Sequence, residues 1–412
     1  MKKTDRFYYG WLVVAVAFFT HSTWGISRYV FPYVLPTMEA ELNLAHAQMG
    51  NIASVYFIAY TIMSFFWGIV ADRIGPRKCM LIGQASIIVG LCGMGYMSSP
   101  AMGFFFYFLC GAGASGQSVP TVRLISDWFG GKHRGTALGI VLTGGGAIAM
   151  VLGAAVPAIL ASYSWQWTWW IGAAYIFTVA VLCWSLLVDT PAKKGLSYSD
   201  ADNKKPSASS IEHVTGEHIV SRPTIRDILR KGTVWNMGGV YLAHAIGYTI
   251  FFNFAVAHLQ EIGWELGAAA GVLAIWGAIS IPGHIIWGLA ADRLTKKYLL
   301  ATTVALEAIG ILIFLSGSTV GVYMGAVVIS FGTVGIPTVV AASMADYYEA
   351  TAVGRAYGFI TLLFGVGAII GPTLGGAIAD ATGTLYTAML FGLGAVVLAC
   401  ILTFMLKKPP RQ

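Results

Sequence analysis

The sequence predicts an all-α membrane protein with twelve transmembrane helices in two pseudo-symmetric six-helix bundles, and three observations predict it. The first is composition: of 412 residues 57% are hydrophobic and 10% charged, with a mean hydropathy of +0.72. A water-soluble globule cannot hide that much apolar surface. The second is segmentation. Runs of about 20 apolar residues, each able to cross roughly 30 Å of hydrocarbon, begin near Tyr9, Gly50, Met80, Met102, Gly139, Trp167, Trp235, Ala268, Leu299, Val322, Gly358 and Leu385. The third is duplication: "WGIVADR" at Trp67 to Arg73 returns as "WGLAADR" at Trp287 to Arg293, Asp127 and Gly139 return as Asp346 and Gly358, and Gly25 and Glu39 return as Gly247 and Glu261. Three matches in the same order mark a repeated unit.

Taken along the chain, the opening "MKKTDRFYYGWLVVAVAFF" has the basic start and apolar core of a signal peptide. No small-residue cleavage site follows, so it reads as a retained first span. That span continues through "HSTWGISRYVFPYVLP" and carries Arg28. The first bundle is expected to fill residues 1–188. Residues 189–231 form the long polar stretch that splits the spans six and six, a linker, and residues 232–412 form the second bundle. The linker ends in "SRPTIRDILRKG", where Ile225, Ile228 and Leu229 at helical spacing suit either a short helix on the membrane face or a solvated tether. The five cysteines, Cys79, Cys92, Cys110, Cys183 and Cys400, are isolated in or beside apolar spans. They suggest neither a disulfide framework nor a metal site.

The net charge of +7 invites a nucleic-acid reading until the charges are placed. All Lys and Arg other than Arg28 and Arg123 fall at the N-terminus, in the even-to-odd loops, in the linker or in the C-terminal "LKKPPRQ". The positive-inside rule then puts that side and both termini in the cytoplasm, and no polyanionic partner is needed.

"GIVADRIGPRK" at Gly68 to Lys78, read as Gly-x-x-x-Asp-Arg-x-Gly-x-Arg-Lys, resembles the signature loop between spans 2 and 3 of the major facilitator superfamily. Physically, Gly68 permits close helix approach, Gly75 a tight turn, and Asp72 a carboxylate able to meet Arg134 or a helix N-terminus. With Arg73 and Arg77 these residues form an expected cytoplasmic gate. Gly288, Asp292 and Arg293 repeat it in degenerate form, with Thr295 near the place of the turn glycine. "GVGAIIGPTLGG" in span 11 fits the family's Gly-x-x-x-Gly-Pro-x-x-Gly-Gly pattern, and small residues at that spacing pack helices tightly. Within the superfamily, "YYGWLVV" followed by Arg28 and "FPYVLPTMEAEL", and "PTVRLISDWFGGKHRGTALGIVLTGGG", are similar to the monocarboxylate porter and oxalate/formate exchanger group. The group's span-8 arginine is missing here, and His284 is the titratable side chain of that span before Asp292.

An arginine inside a span costs roughly 2.5 kcal/mol or more on insertion scales, so it faces a cavity or a partner. Arg28 is expected to hold an anion, the alternative being a side chain that snorkels to the headgroups. Arg123 is a second anion-contact candidate, with an i,i+4 pair to Asp127 as its structural alternative. His244, Tyr248 and Asn253 share span 7, which the resemblance places at the central cavity, and complete the expected substrate contacts. His21, His244 and His284 are candidate proton carriers. Glu307 joins them as a carboxylate inside a span that the fold makes peripheral.

The resemblance implies a secondary transporter in a bacterial cytoplasmic (inner) membrane, its two halves rocking about a central site. A small monocarboxylate-like anion in symport with H+ is the expected cargo, with anion exchange and proton-coupled drug export as the rivals. The sequence lacks a phosphate-cradling Gly-Lys-Ser/Thr loop, a nucleophile elbow and metal-ligand spacing. No enzyme activity, cofactor or metal is therefore expected, and the partners are the anion, the proton and the lipid bilayer around a functional monomer.

Overall fold

The computed structural model describes residues 3–129, 131–194, 225–348 and 350–406. Most of the expected linker and the C-terminal basic tail lie outside them. The first bundle comprises α1 (Lys3–Leu42), α2 (His46–Ile74), α3 (Pro76–Gly95), α4 (Pro100–Trp128), α5 (Gly131–Ser162) and α6 (Trp165–Leu186). A 3-10 turn at Pro191–Lys194 follows, then α7 (Ile225–Leu229). The second bundle comprises α8 (Gly232–Glu261), α9 (Leu266–Arg293), α10 (Lys296–Phe314), α11 (Thr319–Tyr347), α12 (Ala350–Thr382) and α13 (Leu385–Met405). Ten of these helices are long and apolar enough to cross a membrane; the remaining long ones, α1 and α4, carry Arg28 and Arg123. The protein is thus an all-α membrane protein. In the short α7, Ile228 is 3% exposed and α7 packs on α8 and α12, so its apolar side rests on the bundle.

The apolar residues of most of these helices run all round their circumference, as expected when one side meets protein and the other lipid. Within the first half α3 packs on α4 and α6, and α1 on α5; within the second α10 packs on α11, and α8 on α12 and α13. The halves meet mainly through α2 against α12 and α5 against α9, with α1 touching α8. At the end opposite the basic loops this contact is tight. A Cβ on Gly50 would collide with the Pro372 carbonyl, and one on Gly376 with the His46 carbonyl. Carboxylates supply the helix caps there: Glu261 Oε2 accepts from Leu385 N at 3.0 Å, and Asp380 accepts from His46 N at 3.0 Å and Ala47 N at 2.9 Å. Each places negative charge at a helix start, where unpaired N–H groups and the helix dipole favour it.

The basic end is different. Cβ atoms built on Gly68, Gly135, Gly139, Gly288, Gly354 and Gly358 would meet nothing within 4 Å. The two halves therefore close on each other at the acidic end and part at the basic end. Gly68 and Gly288 make no close helix approach in this conformation.

Candidate functional site

Arg28 lies in α1, is 5% exposed, and is positioned by its neighbours in sequence. Pro32, one turn on, has no N–H for the Arg28 carbonyl, which accepts instead from Tyr107 Oη of α4 at 3.4 Å. Ser27 Oγ donates to the Trp24 carbonyl at 2.8 Å and shares a hydrogen with Tyr56 Oη of α2 at 3.2 Å. These bonds fix the α1 backbone against α2 and α4 and aim the Arg28 side chain across to α8.

There Arg28 Nη2 donates to Tyr248 Oη at 3.3 Å. The guanidinium carbon stands 4.4 Å from the Phe57 ring centre, 5.2 Å from Phe252, 5.6 Å from Tyr248 and 6.0 Å from Tyr29. Aromatic faces stabilise a cation without neutralising it. No carboxylate of the described residues pairs with Arg28. Tyr29 closes the wall by packing on Phe252 at 5.1 Å and Trp276 at 5.4 Å, both from the other half. The result is a fixed positive charge between the halves, walled by rings and in direct contact with no carboxylate of the described residues. A guanidinium can hold a carboxylate through two parallel N–H donors.

Of the other expected contacts, Tyr248 is brought to Arg28, and His244 stacks on Tyr248 with ring centres 5.8 Å apart. Asn253 turns its amide onto its own helix, donating to the Thr249 carbonyl at 2.7 Å. Arg123 sits at the basic end, where it pairs with Asp72 of α2 and stands 3.7 Å from Asp127. The structure thus pairs Asp72 with Arg123 and not with Arg134, one of the two expected partners, which is exposed beyond the α4–α5 break. Near the end of α4, Arg123 faces the end of α2 directly.

Gly75 makes the expected turn at φ +88°. The buried Asp189, placed by composition in the linker, accepts from Arg77 N at 2.8 Å and from Lys193 Nζ at 2.6 Å, while Arg77 also bonds the Trp184 carbonyl. Asp189 thereby caps α3 from the far end of its bundle. In the second copy Asp292 and Arg293 are exposed, and Asp346 takes Lys296 at 3.0 Å instead.

Among the proton-carrier candidates, His21 stacks on Trp24 with ring centres 5.3 Å apart, and its Nδ1 has no partner. His284 is exposed, with Nδ1 at 2.8 Å from the Ser280 carbonyl. His244 and Glu307 prove to be one unit: His244 Nδ1 stands 2.7 Å from Glu307 Oε2, with both side chains buried. Sequence reasoning found both residues but not their pairing. It missed Asp189, Asp380 and the aromatic wall, for which a lone acid near a span end and a high aromatic content were the available signals. Among the described residues no group of three or more His, Cys, Asp or Glu could hold a metal ion.

A family model described as the Major Facilitator Superfamily matches residues 14–294 and 237–412. The gentisate transporter of Corynebacterium glutamicum is 25% identical over 93% of this chain and 84% of its own. Monocarboxylate transporter 13 of Rattus norvegicus is 25% identical over 95% of this chain and 87% of its own. Among solved structures, a bacterial homologue of the human lysosomal transporter Spinster, inward-facing and unoccupied, superimposes with a TM-score of 0.78 at 17% identity over 98% of both chains. That likeness extends to the fold.

Proposed function

The chain belongs to the major facilitator superfamily, and from that premise we propose that it is a proton-coupled symporter of a small, monocarboxylate-like organic anion. It works by alternating access in a bacterial cytoplasmic membrane, with both termini inside as the positive-inside rule orients them. On that orientation the structure is open to the cytoplasm and closed to the outside.

One observation carries this reading: among the described residues Arg28 is a buried cation that no carboxylate pairs with, and it donates to Tyr248 at the seam between the halves. A buried charge left unpaired is costly, and an incoming carboxylate removes the cost at the point about which the halves move. The relatives named for gentisate and monocarboxylates support a carboxylate as the cargo. Export of cationic drugs is disfavoured, because the unpaired guanidinium repels a cation.

Counterflow of labelled lactate, gentisate, oxalate and a cationic dye in proteoliposomes at two pH values separates symport from exchange and from drug export. Arg28 can bind a carboxylate with two parallel N–H donors, which Lys cannot reproduce. Arg28→Lys is therefore expected to weaken anion binding, and Arg28→Gln to weaken it at least about tenfold, the worth of a hydrogen bond to a charged group. Wild-type affinity in both variants would show that Arg28 does not hold the cargo.

A further inference from the structure

In the second bundle, Glu307 of α10 and His244 of α8 are 0% and 2% exposed, with Glu307 Oε2 and His244 Nδ1 2.7 Å apart and one hydrogen between them. Glu307 Oε1 is buried without a partner. Neither residue makes another ion pair among the described residues. Their surroundings are aromatic or small. On α8, Tyr241 and Tyr248 lie on either side of the His244 ring at 6.0 Å and 5.8 Å, and Phe364 of α12 lies at 6.1 Å. Gly332 of α11 lets that helix close on the Glu307 backbone.

The titratable groups of the other packed helices have other engagements. His284 of α9 bonds the Ser280 carbonyl, Tyr323 of α11 bonds the Ala268 carbonyl, and Asp346 of α11 pairs with Lys296. Tyr357 of α12 hydrogen-bonds Thr361, and Cys400 of α13 makes no ion pair among the described residues. Toward the seam, the fixed charge next in line is Arg28, reached through Tyr248, which accepts from Arg28 at 3.3 Å and stacks on His244.

We propose that the His244–Glu307 pair is the proton-binding site of this transporter and that Tyr248 joins it to the anion site at Arg28. The assignment deepens the symport reading above and rests on it. With one proton beyond the N–H that a neutral imidazole always carries, the pair is neutral; without it, the pair carries one negative charge. Arg28 stays positive throughout. In a medium of low dielectric the state with balanced charges is strongly favoured. With the anion site empty, the deprotonated pair balances Arg28. When a monovalent carboxylate binds Arg28 it supplies that balance itself, the pair's negative charge is left uncompensated, and a proton from the open side joins the pair. Both the empty and the loaded carrier are then neutral. One proton crosses with one anion, and no net charge moves.

The test compares wild type, Glu307→Gln, Glu307→Asp and His244→Gln in proteoliposomes with labelled lactate and gentisate. In wild type, a gradient of one pH unit should accumulate the transported probe about tenfold, the equivalent of one proton per anion, and a potassium-set membrane potential should have no effect. Glu307→Gln fixes the pair in its neutral form. Counterflow should persist, pH-driven accumulation should vanish, and uptake should become driven by an inside-positive potential, because the anion now crosses without its proton. Glu307→Asp should restore the pH response. A merely structural role for Glu307 would lower every flux together and create no potential dependence.

Should Glu307→Gln not fold, proton uptake on probe binding to purified protein gives the same reading: about one per anion in wild type and about none in His244→Gln, where a buried carboxylate without the imidazole beside it keeps its proton whether or not the anion is bound. Tenfold pH-driven accumulation retained in Glu307→Gln, or unchanged proton uptake in His244→Gln, overturns the assignment while leaving symport intact. A wild type that accumulates neither probe with a pH gradient overturns the symport reading itself, and this assignment with it.

Discussion

Tyr248 accepts the hydrogen bond that the Arg28 guanidinium donates, and its ring forms part of the wall around that charge. Tyr248→Phe separates the two contributions, since it keeps the ring and removes the acceptor. A net hydrogen bond is worth about 1 kcal/mol, so the apparent KM for the anion should move by about fivefold while protein yield in the membrane stays level. An unchanged KM would make the tyrosine a wall alone. Arg28 itself was legible in the sequence, because a charge inside an apolar run has few innocent explanations. Its wall was not. Phe57 lies on α2 and Tyr248 and Phe252 on α8, and in a chain of 13% aromatic residues no local signal marks which rings converge. Glu307 was visible as a buried carboxylate for the same reason as Arg28. Its partner was hidden because helices apolar all round do not reveal which face turns toward which neighbour.

At the scale of the element, the turn between α2 and α3 shows what a motif can and cannot convey. Gly75 was readable as a positive-φ position, and the structure has it at φ +88°. The cap of the following helix comes from Asp189, far along the chain, in a stretch whose polar composition reads as linker. Asp72, on the last turn of α2, is bound to Arg123 of its own bundle while the basic end stands open. Closing that end brings the second bundle, with its own helix starts, back toward Asp72, where a carboxylate gains from the positive end of a helix dipole. Asp72→Asn removes that gain and leaves size unchanged. Exposed charges and helix termini contribute a few tenths to about 1 kcal/mol, so the closed state should lose up to about fivefold in population. Cysteines placed along the basic-end cavity should label correspondingly faster from that side. Labelling equal to wild type would remove Asp72 from the gate.

For the molecule as a whole, the sequence carried the spans, because lipid imposes them on composition directly. It did not carry the conformation. Both faces of the two bundles stay buried in the same lipid whichever end is open, so hydropathy is the same in either state. What distinguishes them is contact between the halves, and here that contact runs along α2 and α12 toward the acidic end. Gly50 and Gly376 bring the two backbones together, Asp380 accepts from the start of α2, and Thr373 Oγ1 donates to Ser54 Oγ at 2.9 Å. Alternating access requires this seam to part in every cycle. A Ser54→Cys, Thr373→Cys double variant, with the five native cysteines replaced, puts two thiols where the hydroxyls now meet, within the span a disulfide bridges. Oxidation should trap the closed acidic end, halting both net uptake and counterflow, and a reductant should restore them. Anion binding from the basic side should survive the cross-link, because the Arg28 site remains open to that face. Full counterflow in demonstrably cross-linked protein would mean that the α2–α12 seam does not open, and the rocking of the two halves would have to be abandoned.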